Sequence, residues 1–326
     1  MKKIKAIGLF SGGLDSLAAI KLIEEQRVEV LAVNFLTSFF SDPERLKKVA
    51  RDNHIKLKII DISEEYLEKV VKRPKHGYGK NMNPCIDCKI FLMKQARKIM
   101  KKEKAQFIFT GEVLGQRPMS QKNTPLKIIK KESGLKDKLV RPLSAKLLPK
   151  SEAEDKGWIR REKLLDIEGR NRKKQYALAE KYSLSGYGAP AGGCLLAEKA
   201  YSAKLRDLFE NEKNFSLKDV ALLKAGRNFR LGRSRIIVGR DQEDNKKLEK
   251  LKGIFDILFK VKDDNGPITL LRGEKSKPAL AAAASLTVRY SDAPGNEAVV
   301  AYGRAFKKSI KVPKMKEKGI EELRIA

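Results

Sequence analysis

The sequence predicts an α/β fold, a doubly wound parallel sheet, followed by a smaller α+β domain. Three observations predict it. Up to about residue 110, apolar β-rich runs alternate with stretches of helical spacing, the signature of a parallel sheet built from βαβ units. A glycine turn separates the first strand from the first helix. From about residue 216 the strands become short and successive, with an Ala-rich helix among them. A chain of 326 residues leaves room for two domains at roughly 100–200 residues each, and 41 % hydrophobic residues can fill real cores.

The elements follow in order. Residues 4–10 read as a buried strand, and 14–25 carry Leu14, Leu17, Ala18, Ile20, Leu22 and Ile23 at helical spacing. Strands are expected over 28–35, 56–62 and 106–110, with helices over 64–71 and 88–100. A ligand should sit at the carboxyl ends of these strands. Residues 142–160, rich in Lys, Ser, Glu and Pro, read as the end of the first domain. Residues 161–182 read as a charged helical stretch and 186–194 as a Gly- and Ala-rich loop. The expected division is a first domain over 1–150, a helical connector with the Cys194 loop over 151–215, and a last domain over 216–326. In that last domain, strands are expected over 229–239, 255–261, 268–272 and 298–302, a helix over 278–289, and a basic tail over 307–318.

Lys and Arg number 71 against 41 Asp and Glu, a net charge of +30. Such an excess points to a polyanion, RNA or DNA first. A thermophile-like surface would add Glu alongside Lys, and here the balance is one-sided. No window reaches the ~18 apolar residues of a membrane span, so no membrane partner is expected. The start, Met1-Lys2-Lys3-Ile4, has a charged head but a very short apolar run and no Ala-x-Ala-like cleavage site, so it reads as a strand rather than a signal peptide. Three cysteines do not make a disulfide framework. A cytoplasmic protein whose thiols do chemistry is expected.

Ser11-Gly12-Gly13-Leu14-Asp15-Ser16 lies between the first strand and the first helix. Its glycines let bare N–H groups approach phosphate oxygens, and the helix N-terminus adds positive potential. Ser11 and Ser16 can donate hydrogen bonds, and Asp15 can hold a Mg2+ ion carried by the phosphates. The loop is neither Walker A nor Gly-x-Gly-x-x-Gly. It resembles the signature of the PP-loop ATP pyrophosphatases, which split ATP into AMP and pyrophosphate and use the AMP to activate a carbonyl oxygen. That resemblance implies ATP as the cofactor, and the family includes both ammonia-using synthetases and sulfur-inserting tRNA enzymes.

Cys85 and Cys88 form a Cys-x-x-Cys pair at a helix start, and Cys194 lies in Pro190-Ala191-Gly192-Gly193-Cys194. The helix N-terminus with Lys89, Lys94 and Arg97 favours thiolate. Three readings stand. One cysteine is a nucleophile and another resolves a persulfide or disulfide; all three ligate a 4Fe–4S cluster with one iron open; or they form a structural zinc site. Zinc needs a fourth ligand, and the only histidines are His54 and His76.

Cys85-Ile86-Asp87-Cys88-Lys89 resembles a segment of the ThiI-type tRNA 4-thiouridine synthases. So do Thr110-Gly111-Glu112-Val113-Leu114-Gly115-Gln116 with Ser120-Gln121, and Val140-Arg141-Pro142-Leu143. Asn83-Pro84-Cys85 is also similar to the MnmA-type 2-thiouridylases. The resemblance covers roughly residues 4–145 and extends to Cys194. It implies Gly111 at the nucleotide, and Asp15, Cys85, Cys88 and Cys194 in catalysis. The sequence departs from the 4-thiouridine pattern at Ile90, where that family has Arg, and neither a THUMP nor a rhodanese region is expected. Without a rhodanese carrier for a persulfide, the cluster reading is favoured, with sulfide delivered to the open iron.

Phe229-Arg230-Leu231-Gly232-Arg233-Ser234-Arg235-Ile236-Ile237-Val238-Gly239-Arg240-Asp241 and the segments after it resemble an NFACT-R domain to about residue 310. Members of that family contact RNA. Arginines bind phosphate as bidentate forks, so Arg230, Arg233, Arg235 and Arg240 are the expected RNA contacts. Arg233 and Arg235 are expected to share one face of a strand.

The function expected is ATP-dependent tRNA thiolation, in which a uridine carbonyl oxygen is adenylated and replaced with sulfur. The partners would be tRNA and a sulfur donor, free sulfide or a cysteine desulfurase. An ammonia-dependent PP-loop ligase would explain the loop but not the cysteines or the charge. A non-catalytic RNA-binding factor would explain the charge but not an intact residue 11–16 loop.

Overall fold

In a computed structural model that describes residues 3–40, 42–188 and 193–326, the chain folds as two units, Met1–Leu195 and Leu196–Ala326. Met1 and Lys2 at the start of the chain, and Ala189, Pro190, Ala191 and Gly192 of the expected loop, lie outside the described residues.

In the first unit, β1 (Lys5–Leu9), α1 (Leu14–Glu24), β2 (Glu29–Leu36), α2 (Pro43–Asp52) and β3 (Leu57–Asp61) follow one another. Next come α3 (Ser63–Tyr66), continued by a π turn over Leu67–Val71, then α4 (Cys85–Lys102) and β4 (Phe107–Thr110). α5 (Asn123–Glu132), β5 (Leu139–Val140), the short α6 (Glu152–Asp155) and α7 (Lys173–Lys181) complete it. The strands form one parallel sheet in the order β3-β2-β1-β4-β5. Parallel strands are covered on both faces and therefore read as near-continuous apolar runs; β2 buries Val30, Leu31, Ala32, Val33 and Phe35. The chain moves outward from β1 to β3 and then returns to β4 on the other side. The crevice at the carboxyl ends of β1 and β4 is thus the switch point where such sheets hold ligands.

The expected boundary at residue 150 is corrected. Ala153, Ile159, Leu164, Ile167, Ala179 and Leu184 are buried in the same core as α1, β1 and β2. These apolar residues are spaced widely among lysines and arginines, so composition hides them. The charged helical stretch over 161–182 is corrected too. Arg161–Lys163 make a single 3₁₀ turn, and only Lys173–Lys181 are α-helical. Between them the backbone runs extended, with Leu165 N donating to Pro142 O at 2.9 Å, Ile167 N to Leu143 O at 2.8 Å, and a parallel bridge between Leu114 and Glu168.

The second unit opens with α8 (Lys199–Asn211) and α9 (Leu217–Leu222), so the expected connector does not stand as a separate body. β6 (Arg227–Leu231), β7 (Ser234–Val238), α10 (Gln242–Leu251), β8 (Ile257–Val261) and β9 (Thr269–Gly273) follow. α11 (Lys277–Arg289), β10 (Glu297–Gly303), β11 (Lys308–Pro313) and α12 (Glu317–Leu323) end the chain. The six strands form an antiparallel sheet in the order β11-β10-β8-β9-β7-β6. One face is buried by the Ala-rich α11, on which Phe229, Ile236, Phe259, Val261, Leu271, Val300 and Val312 pack. On the other face, Ile237, Leu258 and Leu270 pack with Leu222 of α9 and Leu248 of α10. The strand expected over 229–239 is a hairpin, and the basic tail is β11 and the start of α12. Ser309 and Lys311 of β11 alternate with Ile310 and Val312, a half-buried strand pattern that charge counting overlooks.

Beneath α9 the second face carries buried charge. Arg235 of β7 has no exposed surface; its Nη2 donates to Asp219 Oδ1 at 3.1 Å and its Nε lies 3.4 Å from Glu212. Arg272 of β9 joins Asp219 to Asp256. Removing one member of a buried ion pair leaves the other uncompensated, at a cost of about 3–5 kcal/mol. Asp219→Ala is therefore expected to lower the chain's stability in urea by about that amount. A loss under about 1 kcal/mol, the value of a solvated surface pair, would contradict the buried network.

Candidate active site

The loop after β1 is knitted by its own serines. Ser16 Oγ donates to Gly13 O at 2.8 Å and accepts from Ser11 N and Ser11 Oγ, each at 3.3 Å. Gly12 turns with φ +69°, a region that favours glycine, and Gly13 is the N-cap of α1. Arg45, whose N–H is held at the start of α2 by the Asp42 cap, reaches back and donates to Gly12 O at 3.2 Å.

Gly111, just past β4, packs directly on this loop. A Cβ there would lie 2.4 Å from Asp15 O and 2.6 Å from Ser16 N, so only glycine lets the two strand ends approach so closely. The next residues complete the surround. Gln116 Nε2 donates to Asp15 Oδ2 at 2.7 Å, and Arg172 Nη2 donates to the same oxygen at 3.4 Å. Gln175 Nε2 in turn donates to Gln116 Oε1 at 3.3 Å. Asp15 Oδ1 is buried and has no hydrogen-bond partner, which leaves a hard anionic oxygen suited to a divalent cation. Sequence reasoning missed Arg45, Arg172 and Gln175. Arg172 and Gln175 sit in Arg170-Asn171-Arg172-Lys173-Lys174-Gln175, which reads as a charged surface; Arg45 sits in an amphipathic helix with no motif of its own.

Gly111 also leads to the cysteines. Glu112, buried beside it, accepts from Arg141 Nε at 3.0 Å, and Lys89 Nζ lies 3.4 Å from its other oxygen. Burial raises the Glu112 carboxyl, but Lys89 and Arg141 outweigh it and hold it below its ordinary range. Lys89 follows Cys88 on the first turn of α4, so the phosphate loop and the thiols border one crevice. Cys85 Sγ accepts from Asn83 Nδ2 at 3.2 Å. The hydroxyl of Tyr66, which is buried among Phe39, Phe40 and Phe91, donates to Cys88. Leu195 N donates to Phe39 O at 3.0 Å, which ties the Cys194 strand of chain to the same aromatic wall. Tyr66 and Cys88 each feel the charges of Cys85 and Cys194, so all three thiols share one neighbourhood, and none forms a disulfide.

The expectation that helix and lysines favour thiolate at this pair is corrected at Cys88. Burial pushes its thiol up to about 12, and the Tyr66 hydrogen bond and Lys89 only partly offset this. Lys89 is already engaged with Glu112, which the sequence does not reveal. Among the described residues, no three His, Cys, Asp or Glu side chains are grouped to hold a metal ion.

The arginines expected to contact RNA are mostly engaged inside the second unit. Arg235 is fully buried, as above. Arg230 is bound by Asp207 and Glu212, and Arg240 by Asp244, with Nε to Oδ2 at 2.6 Å. Arg233 is in the turn of the β6–β7 hairpin and exposed, so it does not share a strand face with Arg235. The acids that neutralise Arg230 and Arg235 come from α9 and the end of α8, before the hairpin, whereas Asp244 lies one turn beyond Arg240.

Residues 2–147 match the family described as thiamine biosynthesis protein (ThiI), and residues 226–324 match the NFACT protein RNA binding domain. The "tRNA-specific 2-thiouridylase MnmA" of Leptospira interrogans is 35 % identical over 109 residues, 28 % of this chain and 29 % of that protein. The "Probable tRNA sulfurtransferase" of Thermococcus kodakarensis is 31 % identical over 120 residues, 34 % of this chain and 30 % of that one. The chain thus spans less than a third of the length of these relatives. A solved 4-thiouridine synthetase–RNA complex with bound ATP aligns with a TM-score of 0.40 at 21 % identity, covering 68 % of this chain and 52 % of that one. The U34-tRNA thiolase NcsA of Methanococcus maripaludis, solved with its [4Fe-4S] cluster, aligns with a TM-score of 0.35 at 21 % identity, over 69 % and 72 %. Each of the two family matches covers less than half of this chain, the first within residues 2–147 and the second within residues 226–324.

Proposed function

We propose that this chain is an ATP-dependent tRNA sulfurtransferase acting on a uridine. The observation that carries the reading is the shared crevice: Gly111 touches the phosphate loop, and Glu112 beside it reaches Lys89, next to Cys88. An activating site and a sulfur site therefore adjoin. A uridine carbonyl oxygen is a poor leaving group. Attack of that oxygen on the α-phosphorus of ATP releases pyrophosphate and leaves the oxygen bonded to AMP. Sulfur then bonds to the ring carbon, and AMP departs with the original oxygen.

The residues take distinct parts. The N–H groups of residues 11–16 and the start of α1 cradle phosphates. Asp15 Oδ1 is the oxygen free for Mg2+, and Arg172 brings positive charge to the same place. Cys85, Cys88 and Cys194 would hold a 4Fe–4S cluster, whose open iron supplies a binding place for sulfide. Tyr66 fixes Cys88, and its aromatic neighbours wall one side of the thiols. The RNA-binding unit and the +30 charge support tRNA as the partner, with free sulfide or a cysteine desulfurase as the sulfur source and the cytoplasm as the place of action. No described helix is long and apolar enough to cross a membrane.

Mass spectrometry of nucleosides in tRNA from a deletion strain tests the reading, and loss of one thiouridine is expected. Unchanged thiouridines, together with pyrophosphate release that needs ammonia and no RNA, would overturn it in favour of a ligase.

A further inference from the structure

Arg230 and Arg235 are engaged internally, which leaves Arg233 and the half-exposed Arg240 of the expected set at the surface; the sheet itself offers a further cationic face. α9 and α10 cover the second face only over β7, β9 and the start of β8. Beyond them, β8, β10 and β11 present two cross-strand rows on that face. Ala301 pairs with Lys260 on one side and Ser309 on the other. Val299 pairs with Lys311, and its carbonyl accepts from Lys262 N at 3.0 Å. Residues two apart along a strand share a face about 7 Å apart, so Lys260 and Lys262 line one side of this patch and Ser309 and Lys311 the other.

The patch is open. Lys260, Lys262, Ser309 and Lys311 are exposed, and Val299, on an inner strand, is 37 % exposed. The opposite faces of the same strands bury Phe259, Val261, Val300 and Val312 under α11, so the sheet is covered on one side only here. Small Ala301 and Ser309 between the charges allow a backbone to come close. Phe306, at φ +56°, holds its ring 4.8 Å from Lys260 Nζ, an aromatic beside a cation at the patch edge. Glu297 pairs with Lys311; among the described residues, Lys260 and Lys262 have no carboxylate within ion-pair distance.

We infer that this open face of β8, β10 and β11 is the RNA-contact surface of the second unit, with Lys260, Lys262 and Lys311 on phosphates and Phe306 beside a base. Charge complementarity commits it to a polyanion, and lysines next to an aromatic suit unpaired RNA, whose bases can stack. The inference rests on the reading of this chain as a tRNA-binding enzyme.

The test compares two triple variants of the full chain, K260E/K262E/K311E on the sheet face and K246E/K247E/K250E on exposed α10, which change net charge equally. Binding to bulk tRNA is measured across a series of KCl concentrations. The sheet-face variant is expected to lose at least about tenfold in affinity at low salt and about 2 from the log–log salt slope, since each phosphate contact contributes about 0.7–0.9. The α10 variant should keep the wild-type slope. If repulsion or misfolding clouds the first variant, K260Q/K262Q removes the contacts without reversing charge and should lose more than 1 from the slope. Equal losses in both triple variants, or an unchanged slope on the sheet face, would overturn the assignment while leaving tRNA binding intact. Wild-type protein that binds no tRNA would instead overturn the functional reading beneath it.

Discussion

Asp15→Ala is expected to lower tRNA-dependent pyrophosphate release by at least about 100-fold, the scale on which removal of one preorganised electrostatic group slows a reaction, while tRNA binding stays within about twofold. Asp15 belongs to the first turn of α1, and its side chain faces the loop rather than the outer surface. Oδ2 is engaged by Gln116 and Arg172, and Oδ1 is buried without a partner. The substitution thus removes the anionic oxygen at the loop that is free to hold a cation, and with it the carboxylate that Arg172 meets there. Asp15→Asn separates the two effects. It keeps the size of the side chain and an oxygen for Gln116 but removes the charge, so it should be nearly as inactive as Asp15→Ala. Near-normal pyrophosphate release in Asp15→Asn would show that the residue only braces the loop. The RNA surface argued above lies on the second unit, so a large loss of tRNA affinity in either variant would contradict the division of labour between the units.

The parallel sheet was legible because its strands are buried on both faces and the phosphate loop marks the first crossing from strand to helix. Apolar runs at 4–10, 28–35 and 106–110 leave little alternative. What the sequence concealed is of another kind. Residues 153–184 contribute to the first core with isolated apolar side chains among many charges, and their backbone partly runs as an extended edge beside Pro142 and Leu143. Neither a helical nor a strand period is present to be read. β11 was hidden for a similar reason, since its only apolar residues besides Pro313, Ile310 and Val312, stand apart among lysines.

At the site, motif and spacing reached the residues close together in the chain and missed those brought in from afar. Ser11, Gly12, Gly13, Asp15 and Ser16 lie on one loop, and Cys85 and Cys88 on one helical turn. Arg172, Gln175 and Tyr66 come from other elements, and only folding places them on Asp15 or Cys88. The arginines of the second unit show the converse. A bidentate guanidinium satisfies buried aspartates as readily as phosphate, and the sequence of the hairpin alone cannot say which it meets. Arg235 alternates with apolar Ile236 on a strand whose two faces are both covered at that point, so it is buried against Asp219. Lysines, compact and strongly hydrated, stay on the open part of the sheet.

The cysteines carry the other large effect. Cys85→Ala, Cys88→Ala and Cys194→Ala are each expected to abolish tRNA thiolation and to lose bound iron from anaerobically reconstituted protein, while pyrophosphate release persists in part. Cys85 opens α4, Cys88 lies one turn on, and Cys194 is held against the same aromatic wall by the Leu195 to Phe39 hydrogen bond. Three thiols from two distant segments share one neighbourhood, and Lys89, next to Cys88, reaches Glu112 beside the Gly111 that packs on the phosphate loop. A persulfide relay needs two thiols, a nucleophile and a resolver, so it predicts that at least one of the three is dispensable and that iron is irrelevant. A cluster bound through three cysteines needs all of them and leaves one iron for sulfide. Iron counts and visible absorption read the cluster apart from catalysis, and thiolated nucleosides read the reaction. Tyr66→Phe adds a finer measure: it keeps the aromatic wall and the three ligands but removes the hydroxyl that donates to Cys88. It should therefore retain iron while altering the cluster's absorption or potential. Protein that binds no iron after anaerobic reconstitution yet thiolates tRNA would exclude the cluster, and Cys194 with Cys85 or Cys88 would then be the sulfur relay.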